Sequence, residues 1–327
     1  MKNMDVYFMK EKRQSRTTVR KRHRELKILL FLFALILGSV GIYMTAVYGH
    51  LNSVANEIYS SLEDSDSLRD EPVSLGDKEP ISILLLGVDT GDLGRTEQGR
   101  SDSMMLATIN PNTKKTVLTS IPRDTYTEIV GNGTSDKLNH AYAYGGTTMS
   151  VDSVQNLFDV PIDYYMTVNM AGIQEIVDAV GGIEVTSPLT FTYEGYQFYQ
   201  GESTYLDGKS ALAFARMRYD DPNGDFGRQE RQRLVIEGIL AKATEPTNLL
   251  NYRKILDSLS DNVQTNFQMN DLFELQSNNY LNAVRNIQNE TISGEGHIAE
   301  DGVWYYYIYD EELTRIQGLL QTELEIN

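Results

Sequence analysis

In the stretch after residue 80, apolar runs repeatedly end in charged residues. The run SILLLGVD predicts a buried strand with Asp89 at its C-terminal end. GRSDSMMLATINP, introduced by Arg100 and Asp102, predicts a second strand. NPNTKK predicts a hairpin turn, and TVLTSIPRDTYTEI predicts a returning strand with Arg123 and Asp124 at its exit. We therefore expect two aspartates and two arginines, Asp89, Asp102, Arg100 and Arg123, to collect where loops meet strand ends, a common ligand-binding position in α/β sheets.

Helical and strand patterns alternate through the rest of the chain. Thr148–Phe158 and MAGIQEIVDAVGG predict helices, and VPIDYYMTVNM and IEVTSPLTF predict strands. Further helices are predicted at Tyr252–Ser260, Met269–Leu281 and Asp310–Glu323, and an aromatic strand at VWYYYIY. This alternation predicts an α/β fold built on a layered sheet.

The segment DGKSALAFARMRYDDPNGDFGRQERQR concentrates arginine in an otherwise acidic chain. Arg216 and Arg218 are two residues apart, so an extended backbone would point them to the same side. Asp225 follows a turn signal and is placed to cap a helix in which Arg228 and Gln232 share one face near the N-terminus. Guanidinium groups match phosphate oxygens bidentately, and a helix N-terminus favours anions, so this arrangement predicts a polyanion site. The alternative is a solvated surface on which these arginines pair with neighbouring carboxylates.

An uncharged stretch of 21 residues, Ile28–Tyr48, is about 31 Å long as a helix and predicts a membrane span. Residues 1–27 hold ten lysines and arginines and three acidic residues, which places them in the cytoplasm by the positive-inside rule. We expect a single-pass protein of the cell membrane whose C-terminal domain is extracellular. The predicted organisation is a basic tail at 1–27, a span at 28–48, a stalk or linker at 49–80, a globular domain at 81–245, and a helical extension at 246–327 packed on the same domain.

Composition narrows the possible functions. The chain has no cysteine, which excludes disulfides and thiol catalysis, and its four histidines are not spaced as metal ligands. Residues 28–327 hold 19 basic and 43 acidic residues, a charge of the wrong sign for nucleic acid. We expect no nucleic-acid partner, and contact between the basic tail and anionic membrane lipid.

The charged candidates suit phosphoryl transfer from a diphosphate. Asp89 and Asp102 on adjacent strands suit Mg²⁺, with Mn²⁺ as an alternative, because such a cation is held by one or two carboxylates plus phosphate oxygens. Arginines stabilise the charge of the leaving group. The residues alone leave other roles open: Asp89 as a strand-end turn residue, and Asp102 as a structural partner of Arg100 or Arg123.

Seven sequence blocks follow one another between Ile81 and Lys242, namely GVD, GRSDSMML, SIPRDTY, KLNHAYAYGG, DAVGGIEV, DGKSALAFARMR and GDFGRQERQR. In content and order they resemble the blocks of the LytR–CpsA–Psr family. The resemblance implies a layered α-β-α domain with a mixed central sheet, preceded by a single transmembrane helix. It also implies transfer of a glycan phosphate from a polyprenyl-pyrophosphate-linked polymer, such as teichoic acid or capsule, to peptidoglycan.

The resemblance also implies roles for individual residues. Asp89 and Asp102 match the Mg²⁺ positions. The residues that match pyrophosphate-binding positions are Arg100, Arg123, Arg216, Arg218, Arg228 and Gln232. Those expected to be catalytic are Asp102, Arg123, Arg216 and Arg218. Asp225 matches an acidic position that caps the helix or orients Arg228, and Lys137 and Asn139 lie in a matching block.

Other functions stay open at this point. The same site could hydrolyse the lipid-linked diphosphate as a pyrophosphatase, and a non-catalytic polymer-binding role is a further alternative. A membrane-bound transcriptional attenuator would need a DNA-reading module, which the 27-residue tail does not offer. The polyprenyl chain would need an apolar tunnel, for which Val151–Ile162 and Met170–Val180 are candidates, although both stretches fit ordinary core equally well.

Overall fold

The computed structural model describes residues 45, 48–62, 65, 67–89, 99–243, 245 and 262–326. Contacts divide the chain into two units, Met1–Ser53 and Val54–Asn327. In the first unit, residue 45 and residues 48–53 are described, and they are helical. Apart from residues 45 and 48, the predicted span at 28–48 lies outside the described residues, as does the predicted helix at Tyr252–Ser260. Within the described part of the chain, no helix has the length and apolar character needed to cross a membrane.

The second unit contains the named strands and helices. The strands are β1 Ile81–Val88, β2 Ser101–Asn110, β3 Lys115–Ser120, β4 Tyr126–Ile129, β5 Thr134–Lys137, β6 Tyr164–Asn169, β7 Ile183–Thr186, β8 Phe191–Tyr193, β9 Tyr196–Phe198, β10 Ser203–Leu206, β11 Val263–Thr265, β12 Ile287–Thr291, β13 Gly294–Ile298 and β14 Trp304–Ile308. The helices are α1 His140–Phe158, α2 Met170–Ala179, α3 Gly208–Arg216, α4 Asp225–Ala243, α5 Met269–Ser277, α6 Tyr280–Val284 and α7 Asp310–Glu323. Residues 54–58 are also helical.

The central sheet has the strand order β11-β6-β1-β2-β3-β12 among the described residues. β1 is antiparallel to β2 and parallel to β6, whereas β3 is antiparallel to β2 and parallel to β12. The hairpin between β2 and β3 forms at the predicted turn, where Asn110 pairs with Lys115. The prediction of an α/β fold with a mixed central sheet is therefore confirmed.

Helices cover both faces of this sheet. Alternate residues of a strand point to opposite faces. Leu84 and Leu86 of β1 pack in a core with Phe158 of α1 and Ile316 of α7. Leu85, between them, faces the other side, which α2, α4, α5 and α6 cover. The domain is thus layered α-β-α around the sheet.

A second core lies beside the sheet, between α2, α3, α4 and the short strands β7–β10. Phe214 of α3 is fully buried there and contacts the rings of Phe191 and Phe198. Helix α3 begins with a capping box, in which the side chains of Asp207 and Ser210 each bond the other residue's backbone amide. This core holds the arginine-rich segment against the rest of the domain.

The extended segment predicted for Arg216 and Arg218 is wrong. Arg216 is the last residue of α3, and the chain leaves the helix at Met217, whose φ is −56° and ψ is 132°. The spacing of two residues did not reflect a strand because the segment carries a helix cap at its start and a buried apolar face. Arg218 follows in the turn that leads to α4.

The ends of the second unit pack onto the domain. Within the predicted stalk, Val54, Ile58 and Leu75 are buried, and Arg69 Nε lies 2.5 Å from Asp163 Oδ1. Within the predicted helical extension, β11 and β12 form the two edges of the central sheet. The extension is therefore not only helical: the sequence predicted α7 and β14, merged α5 and α6 into one helix at Met269–Leu281, and missed β11, β12 and β13.

Candidate active site

A bulge at the start of β2 positions Asp102. Gly87 pairs with Ser103, whereas Val88 pairs with Ser101, so Asp102 is an extra residue in its strand. Bulges redirect side chains and are common beside active sites. Asp102 is half-buried in this position.

Asp89 follows β1 and is tied to the chain that enters β2. Its Oδ1 accepts a hydrogen bond of 2.5 Å from the Arg100 amide, and its own amide donates to the Arg100 carbonyl at 3.2 Å. A Cβ at Gly99 would lie 1.8 Å from Asp89 Oδ1, so this close approach requires glycine. The C-terminal end of β1 and the start of the antiparallel β2 therefore bring both predicted metal-binding carboxylates to the same end of these two strands.

Arg123 lies just beyond β3 among three carboxylates. Its Nη1 donates to Asp102 Oδ1, its Nε lies 3.7 Å from Asp124 Oδ2, and its Nη2 lies 3.8 Å from Asp225 Oδ1. Burial lowers the pKa of the Arg123 guanidinium, but the charges of Asp102, Asp225 and Asp124 outweigh that effect and raise the pKa. Arg123 is therefore a fixed cation at the centre of the cluster.

Asp225 joins the first turn of α4 to this cluster. Its Oδ1 lies 2.5 Å from Arg228 Nη2 and 3.5 Å from Arg218 Nε. Arg228 Nη2 also donates to the Asp102 carbonyl at 3.4 Å. Burial, aided by repulsion from Arg123, lowers the pKa of Arg228, while Asp225 opposes the shift. The predicted helix is present, but it begins at Asp225 itself, so Asp225 orients Arg228 from inside the first turn rather than capping the helix from outside.

A polar pocket of about 300 Å³, which we call the cation-lined pocket, opens beside this cluster. Of its lining residues, four are cationic and one is acidic, and the set consists of Arg100, Arg123, Lys137, Arg218, Asp124, Asn139 and Trp304. Lys137 Nζ lies 2.9 Å from Asp124 Oδ1, and the Arg218 side chain is 39 % exposed. Such a lining fits a polyanion with several oxygens, because guanidinium groups can each donate two hydrogen bonds to it.

An apolar cavity of about 360 Å³ lies between the sheet and α2, α4, α5 and α6. Leu85, Met105 and Ala107 line its sheet side, and Ile236 and Ile239 of α4 lie opposite. Its composition suits a long hydrocarbon group.

The structure separates the two candidate tunnel stretches. Met170, Ile173 and Ile176 line the apolar cavity, but Val151–Ile162 lies in the core on the opposite face of the sheet. The tunnel alternative is therefore wrong for Val151–Ile162, and its interpretation as ordinary core is confirmed. The apolar periodicity could not tell the two faces apart.

Gln232 links the polar and apolar parts. It lies one turn beyond Arg228 on α4 and lines the apolar cavity. Its Oε1 is buried and has no hydrogen-bond partner within the described part of the chain. A buried amide oxygen of this kind is available to a ligand that extends from one cavity into the other.

The structure thus brings together most of the predicted site residues and adds others. The predicted residues in the cluster or its pocket are Asp102, Arg100, Arg123, Arg218 and Arg228. Asp89 adjoins them through Arg100, and Arg216 is half-buried at the end of α3. Sequence reasoning missed Trp304, although it is the only tryptophan of the chain and lies in a conspicuous aromatic run.

A divalent cation is compatible with these residues. Over the described residues, no group of three or more His, Cys, Asp or Glu side chains is arranged to hold a metal ion. Asp89 and Asp102 supply two carboxylates at neighbouring strand ends, and Mg²⁺ commonly takes its other ligands from phosphate and water. The donor set therefore fits a cation that binds together with a phosphate-bearing ligand.

These features define a class of α/β protein in which a cation-lined pocket adjoins an apolar cavity. The chain belongs to the LytR_cpsA_psr family, which it matches over residues 45–322. It is 45 % identical over 300 residues to the polyisoprenyl-teichoic acid–peptidoglycan teichoic acid transferase TagU of Enterococcus faecalis, with 90 % of this chain and 97 % of that protein covered.

Solved structures agree with this assignment. The crystal structure of TagU from B. subtilis is 41 % identical, covers 76 % of this chain and 99 % of its own, and superposes with a TM-score of 0.62. A structure of TagT bound to LIIa-WTA is 28 % identical, covers 80 % of this chain and 98 % of its own, and has a TM-score of 0.66. The fold and the family are therefore shared with teichoic acid transferases.

Proposed function

We propose that this chain is a membrane-anchored phosphotransferase that moves a glycan phosphate from a polyprenyl-pyrophosphate-linked cell-wall polymer to peptidoglycan. The observation that carries the proposal is that Gly87 and Ser103, which line the apolar cavity, flank the bulge at Asp102, and Asp102 in turn bonds Arg123 of the cation-lined pocket. The names of the relatives, as teichoic acid transferases acting on peptidoglycan, support the same reaction. Teichoic acid, capsule or a similar polysaccharide fits the donor.

In this proposal the diphosphate of the donor occupies the cation-lined pocket. Arg100, Arg123 and Arg218 line that pocket, and Arg228 extends the cationic set at the start of α4. These fixed cations neutralise the negative charge that develops on the departing polyprenyl phosphate. Arg216 and Gln232 complete the proposed diphosphate-binding set, with Gln232 at the boundary to the apolar cavity.

Asp89 and Asp102 are the residues that would hold Mg²⁺, or Mn²⁺ in its place. When bound, the cation would supply further neutralisation of diphosphate charge. Its remaining ligands would come from the diphosphate and water.

The reaction itself is a displacement at the phosphorus atom next to the glycan. A sugar hydroxyl of peptidoglycan forms the new O–P bond, and the bond from that phosphorus to the polyprenyl phosphate breaks. The hydroxyl proton passes to a carboxylate, for which we propose Asp102, because the bulge holds it within the cluster. The electron pair of the broken bond leaves with the polyprenyl phosphate.

The lipid part of the donor accounts for the apolar cavity. The polyprenyl group of the donor would pack against apolar side chains of this cavity, among them Leu85, Met105 and Ile236. The predicted span at 28–48 would hold the domain at the outer membrane surface, where both the lipid carrier and peptidoglycan are within reach.

The proposed function is tested with the full chain in nanodiscs, a synthetic polyprenyl-pyrophosphate glycan, peptidoglycan oligomers and Mg²⁺, with products identified by mass. Arg218→Ala should lower kcat/KM for transfer at least about 100-fold, because it removes a cation from the diphosphate. Its side chain is 39 % exposed, so the fold should survive. Arg315→Ala on α7 is the matched control, since Arg315 is 46 % exposed and also ion-paired. Transfer by Arg218→Ala at the wild-type rate would contradict the proposal.

A further inference from the structure

A second polar cavity, of about 480 Å³, lies on the other side of the first turns of α4. One wall of the cavity is formed by Phe226, Glu230 and Arg233 of α4. The other walls include Ser120 at the end of β3, Ser293 just before β13, and Tyr306 of β14. It shares no lining residue with the cation-lined pocket or the apolar cavity. Its volume falls within the usual range for small-ligand sites, about 300–1,000 Å³.

Two buried polar atoms in the lining of this cavity have no hydrogen-bond partner within the described residues. Ser120 is 2 % exposed, and its hydroxyl has no hydrogen-bond partner in the described part of the chain. The Arg233 side chain is 12 % exposed, and its buried Nε also lacks a hydrogen bond, with Glu237 Oε1 3.8 Å away. Native proteins rarely leave buried polar groups unsatisfied, so such groups indicate a missing ligand or water. A ligand with several hydroxyls would satisfy both.

The remaining lining indicates the chemistry of that ligand. The rings of Phe226 and Tyr306 meet edge to face with centroids 5.4 Å apart, and Phe226 is 40 % exposed. Tyr306 is 4 % exposed and packs behind Phe226, so the Phe226 ring is the aromatic surface open to a ligand. A Cβ at Gly294 would lie 2.2 Å from the Tyr307 carbonyl oxygen and 2.9 Å from the Tyr306 ring, so the close approach to β14 requires glycine. Aromatic faces are electron-rich and attract the C–H groups of a sugar ring, while hydroxyl, carboxylate and guanidinium groups bind its hydroxyls. The combination fits a saccharide.

The geometry of α4 places this cavity off the path of the donor. Residues four apart share a helix face, so Arg228 and Gln232 lie on the side of the apolar cavity. Phe226, Glu230 and Arg233, at spacings of four and three, lie on the neighbouring side. Because Phe226 directly follows Asp225, a ligand in the second cavity lies next to the diphosphate cluster without sharing its residues.

We propose that this second cavity binds a saccharide ring of the acceptor glycan and presents its hydroxyl to the diphosphate. The inference rests on the proposed function for its choice of acceptor over donor. It adds no bond-forming step beyond the displacement described above. Ser120, Glu230 and Arg233 are the residues that we assign to acceptor binding.

The test compares two buried hydroxyls on β3 in the full chain. Ser120→Ala removes the hydroxyl that lines the cavity. Thr119→Val removes the hydroxyl of the preceding residue, which is also fully buried and without a hydrogen-bond partner in the described residues. Because Thr119 is next to Ser120 in β3, its side chain belongs to the opposite face of the strand. Ser120→Ala should raise the KM for peptidoglycan oligomers about 3- to 10-fold, the loss of one hydrogen bond, with the donor KM unchanged. Thr119→Val should leave both values unchanged, and thermal melting checks that both variants fold.

Direct binding separates this inference from the proposed function. Peptidoglycan oligomers are titrated calorimetrically into the wild-type chain and into both variants without donor. Weaker binding by Ser120→Ala alone supports the saccharide site, even if no transfer occurs and the proposed function fails. No binding to the wild type, or equal binding by all three chains, overturns the inference. A change in the donor KM instead of the acceptor KM overturns the assignment to the acceptor.

Discussion

Arg231 is fully buried, although it lies between Arg228 of the charged cluster and Arg233 of the second polar cavity. Its Nη1 bonds Asp221, its Nε donates to the Phe214 carbonyl at 3.0 Å, and its Nη2 donates to the Met217 carbonyl. The Phe191 ring lies 5.2 Å from its guanidinium carbon. Arg231 therefore ties α4 to the end of α3 and holds the turn that presents Arg218.

Breaking this pair should destabilise the domain strongly. Arg231→Met would leave Asp221 as a buried and unpaired charge, so we expect the free energy of unfolding to fall by about 3–5 kcal/mol. Chemical denaturation of the purified protein measures the change. Arg315→Met removes an exposed ion pair and should cost less than about 1 kcal/mol. Equal stability of Arg231→Met and wild type would show that the buried pair does not hold this turn.

At the residue scale, the sequence predicted the charged cluster but not the separate roles of its arginines. Asp102, Arg123, Arg218 and Arg228 do meet, since charged residues at strand ends and helix starts converge at one edge of an α/β sheet. Arg231 could not be distinguished from Arg228 beforehand, because the side that a helix turns inward depends on what packs against it. The arginine-rich segment is therefore neither wholly a binding site nor wholly a solvated surface: Arg218 lines the cation-lined pocket, whereas Arg231 is a buried structural residue.

At the scale of single elements, the alternation along β1 and β2 separates two environments. Met104 and Leu106 belong to the core beneath α1, whereas Met105 and Ala107 line the apolar cavity. Strands and helices with strong periodicity, such as β1, β2 and α7, were predicted well. Short polar strands such as β12, IQNET, were missed because they carry no alternation and depend on pairing with β3.

The sequence at the start of α3 contains a helix-capping signal, which the two-residue spacing of Arg216 and Arg218 did not reveal. Asp207 precedes Ser210 by three residues, the spacing of a capping box, and the hydrogen bonds from Ser210 lower the pKa of Asp207. A cap at this position indicates a helix through Arg216 rather than a strand. The capping box was a better predictor than the spacing of the arginines, because its hydrogen bonds fix the backbone at the helix start.

Filling the apolar cavity should weaken binding of the lipid-linked donor. Ala107 lines the cavity on the sheet side, and Ala107→Leu would occupy space that the proposed polyprenyl group needs. Displacing two or more CH₂ groups at about 0.8 kcal/mol each should weaken binding of a polyprenyl diphosphate about 10-fold or more. Inorganic diphosphate, which needs only the cation-lined pocket, should bind both proteins equally. Unchanged polyprenyl diphosphate affinity would show that the lipid lies elsewhere.

At the scale of the whole molecule, the chain returns repeatedly to one sheet. Residues 59 and 60 pair with Thr265 of β11, and β12 closes the opposite edge of the sheet beside β3. Hence the parts predicted as stalk and extension help to hold the sheet whose strand ends form the site. Long-range pairing of this kind leaves little trace in local sequence, which explains why the layered fold could be predicted but its edges could not.

The most direct test of the central claim follows one oxygen atom. The wild-type chain is given the lipid-linked glycan and peptidoglycan oligomers in oxygen-18 water, and the phosphate of the product is examined by mass. If a sugar hydroxyl attacks phosphorus, the glycan–peptidoglycan phosphodiester contains no oxygen-18, as the account predicts. Free glycan phosphate that carries one oxygen-18 atom, formed as the main product despite the acceptor, would identify a pyrophosphatase and contradict the account.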